Sequence, residues 1–182
     1  MAVTRKLPTW ISYWFILTCP VVLWDVGYCY LRPRSMVGGD LHWIWWPYAL
    51  QQELDHVYGL PSFNSGDGFT NAQSLLNIFE TIGSLSYVYL AHISKSPVAP
   101  LVGFGAALAT FAKTVLYWAQ EYYCGFCAIG HNSVPRLALW ALTNGLWIVF
   151  PFIIVLQLGS HLAGSLRIAA KTEAATKKTK SK

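Results

Sequence analysis

The chain has 182 residues, of which 54% are hydrophobic and only 12% are charged. A soluble domain carries about twice that charged fraction, so the composition excludes an ordinary soluble enzyme and predicts a polytopic membrane domain. The formal net charge is +5, and the stretch from Arg167 to Lys182 supplies all of it, with six basic residues against Glu173. No folded basic surface accompanies this tail, so nucleic-acid binding is not expected and the tail is predicted to face lipid headgroups.

Four apolar stretches, each long enough to cross a bilayer, predict four membrane-spanning helices. The first is read as a retained span, because it is too long for a signal peptide and lacks a small-residue cleavage site. The four are Trp10–Leu31, Ala72–Ile93, Leu101–Tyr123 and Arg136–Leu162. The predicted fold class is therefore all-α: a four-transmembrane-helix bundle over residues 1–165, with a basic cytoplasmic tail over 166–182.

The segment Leu41–Tyr58 is predicted to form a short interfacial helix after the first span. Its histidine, tryptophan and tyrosine residues suit headgroup depth, and its later polar residues, Asp55 among them, are predicted to face water. The alternatives are a plain aromatic anchor and a lid over a cavity entrance. Residues 60–71 are predicted to be loop.

A polar stripe runs along one face of the second span. Its members, spaced four and three residues apart, are Gln73, Asn77, Glu80, Ser84 and Tyr87. A charged residue at the centre of a membrane helix costs roughly 2.5–3.5 kcal/mol on insertion scales, so it normally faces an interior cavity and a partner. Glu80 is therefore the first candidate site residue.

Asp25 in the first span is a second intramembrane acid that needs a partner, unless it lies at the wet end of its helix near Arg32 and Arg34. In the third span, Lys113, Tyr117 and Glu121 share a face at four-residue steps. They either line a polar cavity or, for Lys113 and Glu121, form structural pairs.

Asn144 and Trp147 share a face of the fourth span, and the indole ring is suited to stabilising a cation. In the preceding loop, His131 is more typical of a solvated residue than of a catalytic one.

The four cysteines predict little chemistry. Cys19 and Cys29 lie in an apolar helix and are interpreted as small core residues. Cys124 and Cys127 form an isolated C-x-x-C pair, which is weak evidence for metal or redox chemistry. A disulfide framework is not expected, and neither a metal nor a cofactor is predicted.

Four spans place both termini on one side of the membrane. The positive-inside rule then makes Arg5, Lys6, Lys95 and the tail cytoplasmic. Lysines third and fifth from the end match a retrieval signal of the endoplasmic reticulum, so a multi-pass protein of that membrane is expected.

The chain resembles the EXPERA family, which groups a sterol Δ8–Δ7 isomerase (the emopamil-binding protein) with the sigma-2 receptor. The resemblance covers all four predicted spans. It rests on three local matches: Phe79–Ile82, Val115–Glu121 followed by Gly125–Phe126, and Asn144–Trp147 with Pro151. It implies four helices around an apolar ligand cavity, with Glu80, Glu121, Asn144 and Trp147 at the site. One departure is that the first span has no histidine or glutamate, and Asp25 stands in that region.

Two functions are compatible with these features. The first is an isomerase-like enzyme, or a related cyclisation catalyst, acting on a sterol or terpenoid. A carboxyl group in a dry site can keep its proton at neutral pH, protonate an alkene and let a neighbouring proton leave. The candidate catalytic residues are Asp25, Glu80 and Glu121, and the candidate binding residues are Asn77, Tyr117, Asn144 and Trp147.

The second function is a non-catalytic binder of sterols or cationic amphiphiles, in which the same acids act as counter-ions. Expected partners are a hydrophobic small molecule and membrane lipids, with a homodimer left open.

Overall fold

The structure is a computed structural model that describes residues 7–180, and within that range it is helical and contains no strand. Six α-helices follow one another: α1 (Thr9–Tyr30), α2 (Tyr48–Leu54), α3 (Leu60–Asn64), α4 (Phe69–His92), α5 (Ala99–Tyr123) and α6 (Val134–Lys180). The predicted topogenic residues Arg5, Lys6 and Lys182 lie outside the described residues.

The four long helices form a closed bundle. Each packs on a neighbour, α1 on α4, α4 on α5 and α5 on α6. Aromatic side chains join the first helix to the last, because Trp14 stacks on Phe150 with ring centroids 4.3 Å apart. One end of the bundle is filled by an apolar cluster drawn from all four helices: Ile11, Phe15, Tyr87, Ala99, Ala106, Ala107, Ile154 and Leu158.

Within residues 7–180, three helices are long and apolar enough to cross a membrane: α1, α5 and the segment Val134–Thr179 of α6. They are compatible with a multi-pass membrane protein. The helix α4 has 24 residues, but its polar stripe lowers its mean hydropathy and it is not among the three.

The stripe on α4 faces the bundle interior, as its spacing predicts. Asn77, Glu80, Ser84 and Tyr87 are all buried, and Gln73 is half-buried. The opposite face of α4 exposes large apolar side chains: Leu75, Leu76, Phe79, Ile82 and Leu85. The polar face of this helix is therefore turned to the bundle interior, whereas a surface helix of a soluble protein turns its apolar face to the interior.

The connection between α1 and α4 differs from the prediction. The expected single helix is divided into a 3₁₀ turn, His42–Trp45, and α2, which starts directly after Pro47. Proline has no backbone N–H and fixes its own φ, which suits the start of a helix and not its interior. The expected loop contains α3, and α4 begins at Phe69. At the other end, α6 continues unbroken past Leu162, so the described part of the basic tail is helical.

A glycine in α5 permits the close packing of three helices, and this gives a first prediction. A Cβ at Gly103 would lie 2.5 Å from the ring of Tyr87 and 3.0 Å from Leu158. We expect Gly103→Ala to destabilise the bundle by about 1–3 kcal/mol, more than alanine gains in helix propensity. Gly105→Ala is the matched control, because a Cβ at Gly105 meets no atom within 4 Å. Thermal unfolding in detergent measures both, and an equal melting temperature for the two variants would contradict the packing argument.

Candidate ligand-binding cavity

A cavity of about 420 Å³ opens between the long helices and α2. Its volume falls in the range of small-molecule sites in proteins. Its walls carry five aromatic side chains and eight other polar side chains. The lining residues are Val21, Val22, Trp24, Asp25, Pro47, Tyr48, Gln51, Tyr58, Gln73, Asn77, Lys113, Thr114, Tyr117, Thr143, Asn144 and Trp147.

Asp25 is held in the cavity wall by two donors from other elements. The Tyr48 hydroxyl donates to its Oδ1 at 2.6 Å, and the Asn77 amide donates to its Oδ2 at 3.3 Å. Burial raises the pKa of Tyr48 far above its usual value. The Tyr48 hydroxyl therefore keeps its proton at every physiological pH and remains a donor to Asp25.

The side-chain amide of Asn77 also connects Asp25 to a second acid, Glu80. The Lys113 ammonium donates to Asn77 Oδ1 and, at 3.1 Å, to Glu80 Oε2. Thr110 donates to the same Glu80 oxygen at 3.0 Å, whereas Glu80 Oε1 is buried and has no hydrogen-bond partner in the described part of the chain. Asn77, Lys113 and Glu80 thus form one hydrogen-bonded chain that starts at Asp25.

This chain passes from the large cavity to a small one of about 20 Å³. Glu80 lines the small cavity, and Trp147 and Val22 line both. The two acids therefore face adjoining spaces, separated by the side chains of Asn77 and Lys113.

The predicted site residues are distributed as follows. Five of them, Asp25, Asn77, Tyr117, Asn144 and Trp147, line the large cavity. Glu80 lines the small one. Neither Arg32 nor Arg34 is the partner of Asp25, since Arg32 donates to Thr70 and Asn71 and Arg34 pairs with Asp40.

Glu121 lines neither cavity. It is 2% exposed, and its Oε2 accepts the Ala128 backbone N–H at 3.2 Å. In this position the carboxylate holds the loop after α5 against the end of the helix. The geometry therefore favours the structural alternative for Glu121 over the cavity.

The loop after α5 is closed by a disulfide between Cys124 and Cys127, which the sequence analysis did not expect. Ligand atoms of Glu121 and these two cysteines lie within 4.8 Å of one another, but the disulfide engages both sulfurs. Metal ligation requires thiolates, so this group can hold an ion only after reduction. Cys19 and Cys29 are free and buried, as predicted.

Asp55 is the main residue that sequence reasoning missed. It was expected to face water and is fully buried. It accepts hydrogen bonds from Trp140 Nε1 at 2.7 Å, from the Val57 backbone N–H at 3.0 Å and from the Tyr117 hydroxyl. Glu53 is exposed and His56 is half-buried, whereas Leu54 and Val57 are buried, so the local pattern does not by itself signal that Asp55 is buried. The side-chain donors come from α5 and α6.

Asp55 therefore fastens the segment after α2 to the bundle, next to the cavity. The loop after α5 adds further bonds, since Ala128 O accepts the His56 backbone N–H and Asn132 donates to Leu54 O. As a result α2 forms a fixed wall of the cavity, while Trp43 and Trp46 before it are 73% and 71% exposed.

Comparisons with protein-family models, with curated proteins and with solved structures each found no match. The function is therefore inferred from the geometry of the cavity.

The hydrogen bonds to Asp55 give a second prediction. Asp55→Ala leaves the Tyr117 hydroxyl and the Trp140 N–H buried without their acceptor, at about 1–3 kcal/mol for each group. We expect a large fall in the melting temperature of the detergent-solubilised protein. Glu53→Ala is the matched control, because this exposed acid makes only a 3.4 Å surface pair with Arg136, and such pairs contribute about 0–1 kcal/mol. A melting temperature for Asp55→Ala as high as that of Glu53→Ala would show that the bonds to Asp55 contribute little.

Proposed function

We propose that this protein is a four-span membrane enzyme that shifts a carbon–carbon double bond in a sterol- or terpenoid-like lipid by proton transfer. The observation that carries the proposal is a hydrogen-bonded chain of Tyr48, Asp25, Asn77, Lys113 and Glu80. Its first four members line the 420 Å³ cavity, and Glu80 lines the small cavity beside it. The chain provides acids and a path between them, and four further aromatic side chains, Trp24, Tyr58, Tyr117 and Trp147, line the same cavity.

The proposal includes α4 as a fourth span. Its buried polar stripe and its exposed apolar face are what a membrane helix beside a polar cavity requires. Four spans would place both termini on one side, and the basic tail argues for the cytoplasmic side of the endoplasmic reticulum membrane.

The balance of charge among Asp25, Glu80 and Lys113 supports a protonated carboxyl group in the cavity. The chain contains two carboxyl groups and one ammonium, and the ammonium of Lys113 contacts Glu80 directly. Asp25 is left with neutral donors, Tyr48 and Asn77. An unpaired carboxylate is costly in a dry site, which favours the protonated form of Asp25. With Asp25 protonated, the three ionisable groups Asp25, Glu80 and Lys113 have no net charge.

In the proposed reaction the Asp25 proton adds to one alkene carbon and leaves a cation on the adjacent carbon. A proton on the next carbon then returns to the Asp25 carboxylate, so the double bond moves and no co-reactant is consumed. The rings of Trp24 and Trp147 line the same cavity and are suited to stabilising the cation. Glu80 offsets the charge of Lys113, which would otherwise oppose the cation.

This proposal keeps Asp25 and Glu80 in the chemistry and assigns Glu121 to the loop. Membership of the EXPERA family stays a prediction, supported by the three local sequence matches and by the placement of Asn144 and Trp147 at the cavity.

One observation favours the alternative, a binder of cationic amphiphiles. Asp25 lies in a cavity with the rings of Trp24, Tyr48 and Trp147, an arrangement suited to an ammonium group. Lys113 in the same wall counts against it, because a second cation would face the first.

Complementation tests the enzyme. The wild-type chain and Asp25→Asn are expressed in cells that lack sterol isomerase, and lipids are measured by mass spectrometry. We expect the wild type to shift the sterol or terpenoid profile and Asp25→Asn to lower that activity by about 10²–10⁴-fold, as for loss of a general acid. Glu53→Gln, which removes an exposed acid, is the control and should retain activity.

An unchanged lipid profile with the wild type would rule out the enzyme, and equal activity of Asp25→Asn and wild type would rule out Asp25 as its acid. Binding of an amphiphilic amine that depends on Asp25, without any change in lipids, would support the binder instead.

A further inference from the structure

Lys113 has donor capacity that the protein does not use. It lines the large cavity, and its side chain is 13% exposed. An ammonium has three N–H donors. Among residues 7–180, the acceptors of Lys113 are Asn77 Oδ1 and Glu80 Oε2. One N–H is therefore left for an acceptor inside the cavity.

The charges around Lys113 restrict what that acceptor can be. With Asp25 and Glu80 in the same hydrogen-bonded chain, an added carboxylate would bring a third acid against one cation. An amine would place a second cation in the wall that holds the first. A neutral oxygen, a carbonyl or a hydroxyl, accepts a hydrogen bond from Lys113 without adding charge to a dry site.

The oxygen would also lie close to the reacting acid. Asn77 contacts Lys113 through one end of its amide and Asp25 through the other. A ligand oxygen at Lys113 is thus separated from Asp25 by about one amide group. Such an anchor would hold nearby ring carbons in register with the acid, which is how positioning accelerates a reaction.

We propose that Lys113 is the specificity-determining residue of the cavity, and that it selects neutral lipids with a carbonyl or hydroxyl oxygen over hydrocarbons and amines. This inference rests on the proposed function, because it requires the cavity to be a lipid site. It adds the polar group of the ligand, which the proposed proton transfer leaves open.

Binding to the full chain in phosphatidylcholine nanodiscs tests the proposal. Four probes share a ring system and differ in the polar group: cholest-4-en-3-one, cholesterol, cholest-4-ene and 3-aminocholest-5-ene, delivered from cyclodextrin. Tryptophan fluorescence reports occupancy, since Trp24 and Trp147 line the cavity. We expect the ketone and the alcohol to bind about ten-fold tighter than the hydrocarbon, as for a hydrogen bond to a charged donor, and the amine to bind no tighter than the hydrocarbon.

Lys113→Met retains an apolar stem and removes the donors. It should abolish the preference for oxygen and tighten amine binding. Because this change leaves the buried Glu80 without its cation, the double variant Lys113→Met/Glu80→Gln is measured as well and should give the same result. Lys171→Met, on the exposed part of α6, is the control and should bind like the wild type.

Tightest binding of the amine by the wild type would overturn the proposal. So would an oxygen preference that survives in the folded double variant. Binding of all four probes without preference overturns this inference alone and leaves the proton-transfer function standing. Failure of all four to bind shows that the cavity is not a lipid site, and then both fail.

Discussion

The structure depends on the partnering of buried charge inside an apolar bundle. Three helices contribute Asp25, Asn77, Glu80 and Lys113, and every hydrogen bond that joins these four side chains runs between two helices. Leaving one of these charges unpaired in a dry interior would cost several kcal/mol, so the relative positions of α1, α4 and α5 are tightly constrained. The same constraint leaves a cavity, because polar side chains that hold one another at hydrogen-bond distance cannot also fill the space beside them.

A second polar centre supports the first from outside the bundle. Asp55 and Glu121 are both buried acids, and neither lines the cavity. Asp55 accepts from side chains of α5 and α6, and Glu121 accepts from the loop after α5. They attach α2 and the loop after α5 to the bundle, and α2 carries Tyr48, the donor to Asp25. Four acids of one chain thus have two different tasks, set by their surroundings and not by their residue type.

Much of the helical fold could be predicted from the sequence. The four long helices follow from four apolar stretches, and the inward direction of the α4 stripe follows from its helical spacing. The helix boundaries were predicted less well, and the division of the interfacial segment at Pro47 was not predicted. Periodicity identifies a helix more surely than its ends, where a single capping or proline residue decides.

The candidate site, like the fold, was predicted in part from the sequence. By itself the sequence determined which residues share a helix face: Asn77 with Glu80, and Lys113 with Tyr117 and Glu121. Only the tertiary structure decided that Lys113 joins Asn77 and Glu80, that Glu121 turns to the loop, and that Asp55 is buried. Spacing along a helix defines a direction from its own axis. Which partner lies in that direction depends on how neighbouring helices are rotated and on where distant loops fold back, and those are set by packing between segments far apart in the chain.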